Sequence, residues 1–286
     1  VQLIQGARYD LRNQELLTTY RNRSNPAQAT EEHAFSLLLS GSNPMADNEE
    51  MLDELITRAD DQVLLISAVG SSLIAQYRSY LSNNSDLEII SLETAEDDAC
   101  DLVGLRNEIR ETSAFLFVDN DPDVLKSFLA DTETGQTLQK QLMRNDQVIA
   151  MVGNDARLAG AHFISNNQGD ELNAYRGRLT IESGLGLLST SIVMPDAFDP
   201  SSTDFYENNS AGVQYALITE RLGYGMYINE KSYLTYEPVD GKTMLSSSGR
   251  YAAILMQNSS QQGGVASQPV NSSGDTRNVV DRLTGY

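Results

Sequence analysis

A single cysteine, Cys100, rules out any disulfide within the chain. Its acidic setting, Glu96-Asp97-Asp98-Ala99-Cys100-Asp101, offers no cation to favour a thiolate, so Cys100 reads as a small, partly buried residue. Basic side chains are scarce: 20 Lys and Arg stand against 40 Asp and Glu, a formal net charge of −20. A surface of that sign cannot neutralise phosphates, which excludes a nucleic-acid partner and disfavours anionic lipid. Long apolar runs are missing too. The longest, such as residues 63–69, fall far short of the roughly 20 residues that a membrane-spanning helix needs. The only two histidines, His33 and His162, have no second His or Cys at ligand spacing, so each reads as a packed or capping residue. The sequence opens on Val1 without a charged-then-apolar leader, which fits a mature protein stripped of its signal peptide. The expected location is therefore secreted or cell-surface.

What is present is enough to fold: 40% of residues are hydrophobic and 21% charged, and the apolar ones fall in periodic segments. Residues 1–32 read as an N-terminal arm, in which Arg8, Arg12, Arg21 and Arg23 oppose only Asp10 and Glu15 up to position 30. Residues 33–256 carry the folded pattern. Phe35–Gly41, Val63–Ile66, Leu87–Ile90, Ala114–Val118 and Val148–Val152 read as buried strands. Between them, Asp47-Asn48 can cap a helix whose Met51, Leu52, Leu55 and Ile56 share a face, and further helices are expected over Leu73–Leu81 and Asp123–Leu129. Such alternation predicts an α/β fold, a mostly parallel sheet with helices on both faces. From about Leu179 the runs Tyr224–Tyr236 and Tyr251–Met256 are expected to add antiparallel strands to that sheet. Residues 257–286 are rich in Ser, Gln and Gly and read as a tail with no core of its own.

Three segments, in order, carry a resemblance: Gly184-Leu185-Gly186-Leu187-Leu188, then Pro195-Asp196-Ala197-Phe198, then Arg221-Leu222-Gly223-Tyr224-Gly225-Met226-Tyr227-Ile228-Asn229-Glu230. Together they resemble the GLGLL, DQHF and RL…GIGIDE motifs of the cyanophycinase family of serine peptidases, over roughly residues 33–256. The resemblance implies a class I glutamine amidotransferase-like fold. It also implies a serine on a sharp strand-to-helix turn, written G-T-S-A-G. Here the strand Val148–Val152 leads into Gly153-Asn154-Asp155-Ala156-Arg157, which puts Asp155 in the serine's place; a second register puts Leu158 there. Neither supplies a nucleophilic hydroxyl. The family's histidine base falls on Ala197, and its glycine pair beside the oxyanion falls on Asp119-Asn120. The resemblance thus implies a peptidase body plan with its catalytic positions degenerate.

Asp119, Asp121 and Asp123 alternate at the end of a predicted strand. They suit either a Ca²⁺ ion or a solvated loop in which Asp121 or Asp123 caps the next helix; no other cofactor is indicated. Asn22, Asn83, Asn208, Asn258 and Asn271 each begin an Asn-x-Ser triplet, a formal glycosylation acceptor on a surface loop. Tyr224, Tyr227, Tyr233 and Tyr236 read as strand core or as a contact face. The expected function is a non-catalytic, self-assembling structural subunit, a homo-oligomer or polymer joined through residues 1–32 and 257–286. The alternatives are a hydrolase of acidic peptides that pairs Asp155 with Asp121 or Glu230, and a peptide- or cation-binding module.

Overall fold

The computed structural model describes residues 9–10, 35–94, 103–144, 146–196, 206–239, 242–259 and 264–270. Cys100, His33, Ala197, Asn22 and Asn271 lie outside the described residues, as does most of the arm. The strands are β1 (Tyr9–Asp10), β2 (Ser36–Ser40), β3 (Gln62–Ala68), β4 (Glu88–Thr94), β5 (Ala114–Val118), β6 (Val148–Met151) and β7 (Gly160–Ile164). They continue as β8 (Ile181–Ser183), β9 (Leu188–Pro195), β10 (Tyr224–Ile228), β11 (Ser232–Val239), β12 (Lys242–Gly249), β13 (Ala253–Ser259) and β14 (Gly264–Val270). The α-helices are α1 (Glu49–Arg58), α2 (Ile74–Asn84), α3 (Val103–Glu111), α4 (Pro122–Asp131), α5 (Glu133–Leu142) and α6 (Tyr206–Thr219).

The α/β class holds, with a mostly parallel central sheet. An eight-stranded sheet runs β1-β12-β11-β2-β6-β5-β3-β4, in which β2, β6, β5, β3 and β4 are mutually parallel and the other three add antiparallel. The parallel strands are near-continuous apolar runs because both faces are covered. On one face Leu38, Val63, Leu65, Leu116 and Ala150 pack against Met51, Leu52 and Leu55 of α1 and Tyr77 and Leu81 of α2. On the other, Leu37, Leu39, Leu64, Ile66, Phe115 and Phe117 meet Ile109 of α3, Leu125 and Phe128 of α4, and Leu138 of α5.

The C-terminal half departs from the expectation of one extended sheet. Only β11 and β12 join the first sheet. A second, six-stranded sheet runs β14-β13-β10-β9-β7-β8, with β7, β9 and β10 parallel. Its Phe163, Val193, Met226 and Leu255 complete the first sheet's core, and its far face packs Ile192, Met194 and Tyr227 on Val213 and Leu217 of α6. The run 224–236 is cut at Lys231, whose φ of 55° is in the left-handed region, and its two halves enter different sheets. Strand β13 crosses the expected boundary at 256/257, and β14 pairs with it from Ala253↔Val270 to Ser259↔Gly264, so that part of the tail belongs to the second sheet.

Several local features also differ from expectation. Asn48 does not cap α1 with its side chain; its Nδ2 donates instead to the Ser42 and Pro44 carbonyls and to the Tyr77 hydroxyl. Helix α5 lies in the stretch read as polar, held by Thr132, whose Oγ1 accepts from the Gly135 amide, and by the buried Leu138 and Leu142. His162 sits on β7, where a helix had been expected. Asn208 and Asn258 are buried, not on loops. Asn208 Oδ1 accepts from the Ala174 amide, and Asn258 Nδ2 donates to the Leu217 and Leu222 carbonyls, whereas Asn83 is exposed at the end of α2. The four tyrosines are core: Tyr224, Tyr227 and Tyr233 are buried and Tyr236 half-buried against Phe35.

Candidate functional site

In a parallel sheet the loops that leave the carboxyl ends of the strands converge, and this is the usual place for chemistry in such folds. Here those loops are Val69-Gly70-Ser71 after β3, Asp119-Asn120 after β5 and the turn after β6. The last is a 3₁₀ segment, Gly153–Ala159, with all but Asn154 buried. The left-handed residue is Gly153 (φ 54°), two positions before Asp155. A Cβ at Gly153 would lie 1.8 Å from Asn43 Oδ1, so both the conformation and the space demand glycine.

Asp155 is fully buried. Its Oδ2 accepts from the backbone amide of Asn120 at 3.2 Å, and its Oδ1 is buried with no hydrogen-bond partner. Burial pushes the carboxyl well above the usual carboxylate range; the bonds from Asn120 oppose the rise, and nearby Asp119 and Asp121 add to it. Asn120 is itself locked. Its Nδ2 donates to the Ile66 and Val118 carbonyls and its Oδ1 accepts from Thr94 Oγ1. Asp119, also left-handed at φ 59°, accepts from Ser71 Oγ at 2.6 Å.

The neighbouring carboxylates are committed to other work. Asp121 Oδ1 caps α4 by accepting from the Asp123 and Val124 amides, and its Oδ2 accepts from Asn166 Nδ2. Asp123 Oδ2 accepts from the Asn166 amide at 2.9 Å. Arg157 is only 4% exposed; its Nη1 donates to Asn166 Oδ1 while its Nε is unpaired. Burial lowers its pKa to about 10, against the pull of Asp123, Asp121 and Asp196. Among the described residues no group of three or more His, Cys, Asp or Glu side chains is placed to hold a metal ion. Asp119 accepts from Ser71 Oγ, Asp121 from the α4 amides and Asn166, and Asp123 Oδ2 from the Asn166 amide, whereas Asp123 Oδ1 is buried without a partner.

The motifs that carried the resemblance come together beside this turn. The Gly184, Leu185 and Gly186 amides donate to the Ala161, Leu158 and Gly160 carbonyls at 2.8–3.0 Å, stitching the 184–188 run onto the end of the 3₁₀ segment. Asp196, left-handed at φ 49°, donates its amide to the Ile228 carbonyl of β10. Glu230, in the turn after β10, is half-buried. Sequence reasoning missed Arg157 as a buried charge and Asn166 as the hub joining it to Asp121 and Asp123. No local pattern marks a lone Arg or Asn for burial.

Neither a family model nor a curated protein matches the chain. Among solved structures it is similar to a peptidase from an acI-B1 Actinobacterium, at 14% identity and a TM-score of 0.61, over 84% of this chain and 96% of that one. It also aligns with a candidate peptidase E protein from Listeria monocytogenes at 10% identity and a TM-score of 0.48, covering 83% of this chain and 100% of the other. The first likeness shows that the chain has a peptidase-like fold of the class I glutamine amidotransferase type.

Proposed function

We propose that this chain is a non-catalytic, secreted or cell-surface structural subunit, built on a degenerate peptidase domain of cyanophycinase type, which assembles with copies of itself. The observation that carries the reading is the state of Asp155. A nucleophile must face solvent or substrate, whereas Asp155 is fully buried against Asn120. The Asn120 amide, in the place matching the family's glycine pair, is spent on that carboxylate and is not free for a developing oxyanion. The histidine's place holds Ala197 in sequence, so no imidazole stands ready to take a proton.

The test has two arms. Purified protein is incubated with acidic peptides and with aspartate-rich polymer, and its mass in solution is followed by light scattering across concentration. No turnover together with concentration-dependent association supports the reading. Turnover that Asp155→Ala abolishes would replace it with a relocated carboxylate hydrolase using Asp155 with Asp121 or Glu230. Saturable peptide binding without product or association would make the chain a binding module.

A further inference from the structure

Among the described residues the two sheets leave four edges, and three carry a feature that discourages further pairing. Strand β4 has Glu88 and Glu93, both exposed; β8 is three residues long and carries Glu182; and β14 contains Pro269, which lacks an amide hydrogen. The fourth edge is β1, two residues that cover only part of β12. Strand β12 is eight residues long, reads Lys-Thr-Met-Leu-Ser-Ser-Ser-Gly, and is fixed to β11 over its whole length from Ser232↔Gly249 to Val239↔Lys242. It has no proline and no charge beyond its first residue. Its outer side is met, among the described residues, only by β1, through Tyr9↔Leu245 and Asp10↔Met244.

We propose that this outer edge of β12 is the acceptor through which one copy captures another, with β1 of the neighbouring copy as the added strand in the register Tyr9↔Leu245, Asp10↔Met244. This deepens the assembly reading above and rests on it. Two observations favour exchange between copies. First, 24 residues, 11–34, separate β1 from the described chain. Fully extended they reach about 80 Å, whereas β12 and β2 are separated only by β11, about 10 Å across the sheet. A connection so much longer than the path it must cover reaches an adjacent molecule without strain. Second, charge is divided between the partners: the first 30 residues hold four arginines against two acids, in a chain whose net charge is −20. The arm of one copy is therefore attracted to the body of the next, while two bodies without arms repel. Strand addition supplies main-chain hydrogen bonds, and the register supplies specificity.

Two single-cysteine variants test this in a Cys100→Ser background, one with Asp10→Cys and one with Met244→Cys. Mixed, assembled and mildly oxidised, they should give a disulfide-linked dimer that neither yields alone. Its yield should exceed by about tenfold that of Asp10→Cys mixed with the off-register Ser248→Cys, because a disulfide tolerates little separation. The neighbouring pair, Tyr9→Cys with Leu245→Cys, should behave alike and guards against misfolding of either first variant. If light scattering shows assembly but no cross-link forms between copies at either register pair, the β12 edge is not the interface, and the assembly reading survives. Cross-linking only within one chain carrying both cysteines has the same meaning. A monomer at every concentration overturns both.

Discussion

The backbone amide of Asn120 donates to Asp155 Oδ2 at 3.2 Å, joining the loop after β5 to the turn after β6 across the carboxyl end of the parallel sheet. The turn after β6 is thereby held to the loop after β5 by a buried carboxyl. The other oxygen of the same carboxyl has no partner, so the tie is made by a group whose charged form is costly there.

That cost predicts a pH dependence. The folded carboxyl titrates above its unfolded value, so the folded state holds the extra proton between the two. Its contribution to stability is thus fullest below the unfolded value, falls as pH rises through the window up to the folded pKa, and stays low above it. Asp155→Asn keeps an acceptor for the Asn120 amide and removes the charge. It is expected to raise stability near pH 8 by about 1–3 kcal/mol and to flatten the dependence on pH, read from urea denaturation at pH 5 and pH 8. A lower midpoint at pH 8 would contradict it.

Gly153→Ala forces a Cβ into the left-handed region and onto Asn43 Oδ1. The expected loss is about 1–3 kcal/mol, measured as a lower denaturation midpoint. Combining it with Asn43→Ala should recover only part of the loss, since the clash is relieved and the backbone strain is not.

Arg157 is buried, feels the charge of half-buried Asp123 and exposed Asp121, and is the donor to Asn166 Oδ1. Arg157→Ala is expected to destabilise by about 1–3 kcal/mol, because Asn166 Oδ1 loses its donor and a buried side chain is removed. Asn166→Ala should cost less, and the two losses should not add, since they break one network.

Asp119, Asp121 and Asp123 each accept a hydrogen bond from a protein donor, and an ion drawn to Asp121 Oδ1 would compete with the cap of α4. Millimolar Ca²⁺, or its removal by chelator, is therefore expected to leave the melting temperature unchanged. A rise that disappears in Asp121→Ala would show a calcium site.

The five parallel strands of the first sheet were readable because each carries an apolar run flanked by polar residues, as in Ala114–Val118 and Val148–Met151. Helices α1 and α4 showed for the same reason, an apolar face behind an acidic first turn. Helix α5 did not, because its Glu, Gln and Lys outweigh Leu138 and Leu142, which face the core of the first sheet. The site was legible only in part. That the turn after β6 carries an Asp is a property of the sequence, whereas the burial of Asp155 depends on Asn120, 35 residues away, and on the loop it brings.

The strand–helix alternation and the spacing of the apolar runs determined by themselves the α/β class and the mostly parallel central sheet. These depend on residue types and on spacing along the chain. The partition of the C-terminal strands between two sheets was decided by tertiary structure. The left-handed turn at Lys231 separates Tyr227, which packs against α6, from Tyr233, which packs on the face with α1 and α2. So too were the burial of Arg157, the loss of Asn208 and Asn258 from the surface, and the unguarded length of β12, because pairing partners and solvent exposure arise only when distant segments meet.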